Sequence, residues 1–150
     1  MLAISVINLT FSSETLMSNQ RDKSISFQAA ESALTDAESW IKQQVIPPKS
    51  VTTCQSGPCD VFVVNTFTNY QTRPISWWVT YGKPYSSTLT QAKTQPHFII
   101  EEYNFIPYDL SPQTSAKKQG YYYYRVTAEG TGATDNAKSV VQSIYSTQFN

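Results

Sequence analysis

The chain has 150 residues, with 11 basic and 11 acidic side chains and a formal charge of zero. That length allows one domain with at most an appendage, and the charge balance excludes the basic footprint that nucleic-acid binding requires. Aromatic residues make up 13% of the chain and ten residues are tyrosine, which favours sheets of aromatic and β-branched side chains and a secreted or cell-surface domain over a cytosolic enzyme.

From Met1 to Ile46 there is neither proline nor glycine, which predicts one helix of about 65–70 Å. A globule of this size has a radius of gyration of about 15 Å, so part of that helix must project. The opening MLAISVINLTF is apolar and carries no charge before Glu14. It has neither the basic start nor the small-residue cleavage site of a signal peptide. It is also shorter than the roughly twenty residues that span a bilayer. The expectation is that it is the downstream end of a longer hydrophobic helix.

At about 100° per residue, Leu9, Leu16, Phe27, Ala30, Leu34, Ala37 and Ile41 fall within a sector of roughly 80°. Gln20 and Lys23 interrupt the stripe, so its two halves are expected to face different surroundings. Phe27, Ala30, Leu34, Ala37 and Ile41 are the predicted helix–sheet core, with about 1.5–3 kcal/mol from each of the three large side chains. A second face carries Ala29, Ala33 and Trp40, near Asp22 and Asp36. It reads either as a surface where another helix crosses closely or as solvent-facing alanine chosen for helix propensity. Together with Leu2, Ile4, Val6, Ile7 and Leu9 upstream, these residues form the predicted subunit interface. The serines, threonines and asparagines between residues 5 and 20 are mediocre helix formers. Pro47 and Pro48 end the helix. The expected organisation is therefore a helix over 1–46 and a β domain over 47–150, packed on residues 27–45.

Cys54 and Cys59 stand in CQSGPC. With one histidine in the chain, His97, and no second cysteine pair, a tetrahedral metal site cannot be completed. Gly57 and Pro58 suit a turn that brings the two Cβ atoms together, so a structural disulfide is expected, with free thiols as the alternative. An oxidised pair implies assembly outside the cytoplasm. Strand-like runs follow at 61–67 (VFVVNTF), 75–82 (ISWWVTYG), 97–105, 121–130 and 138–149, each bounded by turn residues. In the fourth, Tyr122, Tyr124, Val126 and Ala128 share one face, and Tyr121, Tyr123, Arg125, Thr127 and Glu129 the other. The last two runs read as an antiparallel hairpin whose inner face meets the helix, an α+β plan.

Little in the sequence points to catalysis. His97 has no nucleophile motif around it and is expected at the surface or at a strand end. Glu101 and Glu102 are neighbours on a strand and point to opposite faces. Asp135 and Asn136 fall short of the six to eight oxygen ligands of a calcium loop. YYYY is followed by a single basic residue, Arg125, so an aromatic sheet face is expected rather than a base-stacking surface. No enzyme activity, cofactor or metal is expected.

SETLMSNQRDKSISFQAAESAL resembles the late N-terminal helix of PilX-family minor pilins, in which an acidic residue and a Met–small–Asn stretch precede Arg-Asp and a Phe-Gln-Ala-Ala-Glu core. QPHFIIEEYNFIP, YYYYRVTAEGTGATDNA and VVQSIYS are similar to that family's C-terminal half in order and spacing. The resemblance covers roughly residues 12–45 and 95–147, while 46–94 matches nothing placed. It implies a pilin fold, a long helix packed on an antiparallel β-sheet, whose projecting half lies in the inner membrane before assembly and in the core of a type IV pilus afterwards. It implies as partners other minor pilins, the major pilin and a large tip adhesin, in a tip-located complex that primes assembly. It implies a periplasmic globular domain that becomes extracellular at the pilus tip. The prepilin cleavage motif, the methylated first residue, the acidic fifth residue and most of the membrane span are absent, and Ser18 stands where the family tends to have glycine. Alternative readings are a minor pseudopilin of a type II secretion system and an adhesion or aggregation factor acting through 46–94.

Overall fold

In a computed structural model of the chain, residues 2–149 are described, the side chains of residues 2–12, 114 and 115 excepted. The first element is α1 (Leu2–Gln43), of 42 residues and about 63 Å in length. After the prolines come β1 (Ser50–Val51), β2 (Val61–Val63), a 3-10 turn (Tyr70–Thr72), α2 (Ile75–Tyr81) and β3 (Lys83–Pro84). β4 (His97–Pro107), α3 (Pro112–Ala116), β5 (Gly120–Thr131) and β6 (Lys138–Gln148) complete the chain. The six strands form one sheet in the order β1-β2-β4-β5-β6, with β3 also on β4. The three long strands are antiparallel, as expected, but the short β1 and β2 join in parallel, so the sheet is mixed. This is an α+β, pilin-like arrangement of a long helix on a sheet.

The helix sits unusually low on the sheet, and β5 explains why. A Cβ built on Gly130 would come within 2.6 Å of the Ser26 carbonyl oxygen and 2.8 Å of the Ala29 Cβ, and would also strike the Ala30 amide. Gly132 is likewise pressed against Asp22. Where backbone meets backbone only small side chains fit, and Ser26, Ala29 and Ala30 are buried there, with Ala33, Ala37 and Ile41 continuing the buried line beyond it. Their partners on the inner face are Tyr122, Tyr124, Val126 and Ala128 of β5 with Phe98 and Ile100 of β4.

This geometry corrects the reading of the helix in three places. Phe27, expected in the core, is 51% exposed: it lies about 90° round the helix from the centre of the contact line, too bulky for the glycine-floored groove. Ala29 and Ala33, expected to meet another subunit, are buried in this chain's own core. Trp40 is partly buried against that core, its ring 4.4 Å from the Lys83 ammonium, so its main contact is internal. Leu34 packs on the core edge. Leu2, Ile4, Val6, Ile7 and Leu9 lie outside the described side chains.

The expected strand at 75–82 is also corrected, because Ile75–Tyr81 is helical. Pro74 occupies its N-cap with extended dihedrals, and the fixed φ of proline is readily accepted at a helix start. Tertiary packing then selects the period: the rings of Trp77 and Tyr81, one turn apart, meet at a tilt with centroids 5.3 Å apart, while Trp78 is wholly buried. β2 stops at Val63 rather than Phe67, because the chain turns at Asn65 with φ 61°.

Candidate subunit-contact surfaces

Three surfaces are built by this fold. The first is the projecting part of α1. Its junction with the globule is a polar clamp. Asp22 accepts from the Thr134 hydroxyl at 2.5 Å, Lys23 donates to the Lys138 carbonyl at 2.5 Å, and the Ser26 and Ser139 hydroxyls meet at 2.7 Å. The Thr134 hydroxyl bond holds the Asp22 carboxyl below its ordinary range. Upstream of the clamp, every residue from 13 to 21 is exposed, Leu16 by 60% and Met17 by 69%. Among the described residues, no strand covers this stretch of helix.

The second surface is the segment between α1 and β4, which covers part of the sheet's outer face. Phe62, Tyr70 and Trp78 pack there on Ile99 of β4, with Phe67, Trp77, Cys54 and Cys59 around them. Phe67 meets Phe62 edge-on at 4.8 Å and Trp77 at 5.0 Å, and the Arg73 guanidinium lies 4.9 Å from the Trp77 ring centroid. The Cys54–Cys59 disulfide is present, with Cα atoms 5.6 Å apart.

A buried ion pair fastens this segment. Glu101 is completely buried and accepts from Arg125 Nε at 2.8 Å and from the Asn65 amide at 2.9 Å, while Arg125 also donates to Asn65 Oδ1 at 3.2 Å. Burial, reinforced by the Glu101 charge, pushes the Tyr70 phenol far above its ordinary value. These residues were legible individually but not as a cluster, since Glu101, Asn65 and Arg125 lie far apart in sequence. Glu102, on the opposite face, lines a cleft of about 720 Å³ with Pro48, Lys118, Tyr122 and Phe149.

The third surface is the uncovered remainder of the outer face. A register shift between Glu102 and Asn104 changes which residues of β4 point outward. Tyr103, Ile106, Tyr121 and Ile144 are all exposed there, and Tyr108 stacks edge-on with Tyr121 at 5.4 Å. The Arg125 guanidinium reaches to 5.9 Å from the Tyr103 ring. The period-two pattern of the run at 121–130, now β5, already puts Tyr121 and Tyr123 on this face.

His97 is not at the surface. It begins β4, is buried, and lies directly across from Glu129 of β5. Its Nδ1 and both Glu129 carboxylate oxygens lack hydrogen-bond partners. Burial lowers the His97 pKa and raises that of Glu129 to about 7, the Lys138 charge partly opposing the latter. Burial thus works against the charged form of both, and among the described residues no hydroxyl or thiol is bonded to either. Asp135 accepts from the Thr94 hydroxyl at 2.9 Å, holding the β5–β6 turn against the preceding loop. Among the described residues, no group of three or more histidine, cysteine, aspartate or glutamate side chains could hold a metal ion, and no helix is long and apolar enough to cross a membrane.

A family model described as "Type IV pilus assembly protein PilX C-term" matches residues 22–147. No curated protein and no solved structure matches the chain. The match begins at the clamp residue Asp22 and ends within β6, so it takes in the docked helix and the whole sheet. The chain belongs to the PilX type IV pilus assembly family. That family is a pilus-assembly structural family rather than a known enzyme family, which makes this a pilus-associated protein expected to contact other pilus components.

Proposed function

We propose that the chain is a non-enzymatic minor pilin that helps prime type IV pilus assembly within a complex of minor pilins at the pilus tip. The observation that carries this reading is the helix upstream of Asp22, whose residues 13–21 are all exposed while the next two turns are clamped to the sheet. Exposed Leu16 and Met17 on a fixed rod are suited to burial between the helices of neighbouring subunits, where each contributes on the order of 1.5–3 kcal/mol. The partners in this reading are other minor pilins and the major pilin, with a large tip adhesin above them. The outer-face segment between α1 and β4 supplies a surface for choosing among them. Before assembly the globule lies in the periplasm, with the upstream helix directed to the inner membrane.

The test is complementation of a null strain by the full-length gene carrying Leu16→Asp together with Met17→Asp. Loss of surface pili, with the variant chain at normal periplasmic level and normal folding, is the expected result. Full piliation by that variant would overturn the reading. A null strain that makes normal pili but fails in protein secretion would instead assign the chain to a secretion pseudopilus.

A further inference from the structure

β6 is the last strand of the sheet and pairs on one side only, with β5. The phase of its ladder follows from the turn. The Gly132 amide donates to the Ala137 carbonyl at 2.8 Å, which makes 132 and 137 a hydrogen-bonded pair. Antiparallel pairs alternate, and the register runs without a shift from Thr131–Lys138 to Tyr121–Gln148. Ser139, Val141, Ser143, Tyr145 and Thr147 therefore bond inward to β5. The amides and carbonyls of Lys138, Val140, Gln142, Ile144, Ser146 and Gln148 point away from the sheet. Lys23 of α1 takes the Lys138 carbonyl, as this phase requires, and closes that end. From Gln142 to Gln148 no backbone hydrogen bond satisfies the outward groups among the described residues.

Such an edge normally carries a device against pairing: a proline, a bulge, or charge along its length. β6 has no proline, no bulge, and a single charged residue, Lys138, at the end α1 already closes. The flanks are prepared for an added strand. On the helix side, half-exposed Phe27 borders a cleft of about 410 Å³ shared with Lys23, Gln71, Lys138 and Val140. Further along the same side of α1 come the carboxylates of Glu31, exposed, and Glu38, which accepts from the Ser143 hydroxyl at 2.7 Å. On the outer side, Ile144 is 52% exposed.

We propose that the outer edge of β6, residues 142–148, is a strand-addition site for an extended polypeptide segment of another protein, one that presents basic and apolar side chains to the α1 flank. An unpaired run of alternating donors and acceptors is matched by the backbone of another strand. The Glu31 and Glu38 carboxylates select basic side chains on the helix side, and Phe27 an apolar one. A second copy of this chain fits poorly, because its own edge residues 142–148, QSIYSTQ, bring no basic side chain to the Glu31 and Glu38 flank. The site goes beyond the pilus-subunit reading and does not require it, because its chemistry is set by backbone and flank alone.

The test appends to the C-terminus, through a short Gly-Ser linker, a strand of about seven residues in which lysine and valine alternate with threonine. The linker gives a millimolar effective concentration, so failure to pair is decisive. Amide hydrogen exchange at Gln142, Ile144, Ser146 and Gln148 should be fast in the parent chain and at least ten-fold slower with the strand attached. Val141, Ser143 and Tyr145 should be protected in both. Replacing the strand's lysines by glutamate should reverse the protection. Ser146→Pro, which removes an outward N–H without touching the β5 ladder, should abolish it. The proposal is overturned if the four amides are already protected in the parent, if the appended strand does not slow them, or if the glutamate strand protects equally well. Should Ser146→Pro fail to fold, the comparison of parent and appended chains still decides.

Discussion

The seat of α1 on β5 can be tested with two substitutions expected to behave in opposite ways. Gly130→Ala adds one methyl group, ordinarily neutral or slightly stabilising in a strand. Here the new Cβ would lie 2.6 Å from the Ser26 carbonyl oxygen, against an ordinary contact near 3.4 Å, and its neighbours are backbone and cannot rotate away. The helix must therefore lift by about 1 Å, a gap that forfeits roughly a quarter to a half of each dispersion contact along the line. Overpacking of this kind costs about 1–3 kcal/mol, and the rigid backbone contact puts this case at the upper end. For a domain of this size, that lowers Tm by about 10 °C. Phe27→Ala removes far more surface but from a half-exposed site, so the cost should stay below about 1 kcal/mol, against about 3–5 kcal/mol for a phenylalanine in a core. Thermal unfolding followed by circular dichroism measures both. A neutral Gly130→Ala, or a Phe27→Ala as costly as a core deletion, would refute the close-packed helix and restore the phenylalanine-centred core.

Four further outcomes follow from the same geometry. Glu129 is an acid whose folded pKa is raised from 4.5 to about 7 by burial. Its charged form thus opposes folding, and the penalty grows from about pH 4.5 to pH 7, reaching at most about 3 kcal/mol. Glu129→Gln should match the parent near pH 4 and be more stable at pH 8, as chemical denaturation at the two pH values will show. His97, lowered by burial, has the opposite sign and costs stability as pH falls below about 6.5. Arg125→Ala leaves the Glu101 carboxylate buried and unpaired and should cost about 3–5 kcal/mol, with Glu101→Gln in the same chain recovering part of the loss in a double-mutant cycle. Replacing Cys54 and Cys59 by serine opens a short loop worth about 2 kcal/mol. Exchange protection should fall around β1 and β2 while Gly130–Thr131 stays protected.

The broad plan was legible because the period of the pattern changes so sharply at Pro47: a proline-free, glycine-free run ends and alternating strands begin. The inner face of β5 was readable from Tyr122, Tyr124, Val126 and Ala128 alone. What misled was the size of side chains on α1. Hydrophobicity ranks Phe27 above Ala29 and Ser26, but the contact is decided by how closely two backbones can approach, and that is set by Gly130 and Gly132 in the partner strand. The signal was present in EGTG, since glycine inside a strand often marks a close backbone approach. The Trp77–Trp78 segment failed for another reason. Trp and Val favour strands when short runs are judged locally, and the aromatic cluster that rewards a helical turn is assembled from Phe62, Phe67 and Tyr70, which no local window contains.

The placement of large side chains on α1 also determines how the rod can transmit load. Had Phe27 been the keystone, the helix would stand off the sheet on a bulky side chain and could rock about it. Instead the described contact begins at Asp22 with the short side chains Asp22 to Thr134 and Ser26 to Ser139, joined by the longer Lys23 to the Lys138 carbonyl, and continues with Ala29 and Ala30 against Gly130 and with Ala33, Ala37 and Ile41 in the buried core. Short side chains have few rotamers to lose and little length over which to flex, so the direction of the helix at its exit is tied to β5, β6 and the turn between them. A force along the helix axis is then carried as shear over the buried line from Ser26 to Ile41, with the polar clamp at its leading end. Substituting the clamp should loosen the angle of the projecting helix before it lowers global stability. Asp22→Ala should therefore speed amide exchange from residue 22 to about residue 26 while leaving Ala33 to Ile41 protected. Uniform loss of protection along the helix would show that the clamp and the buried line act as one unit.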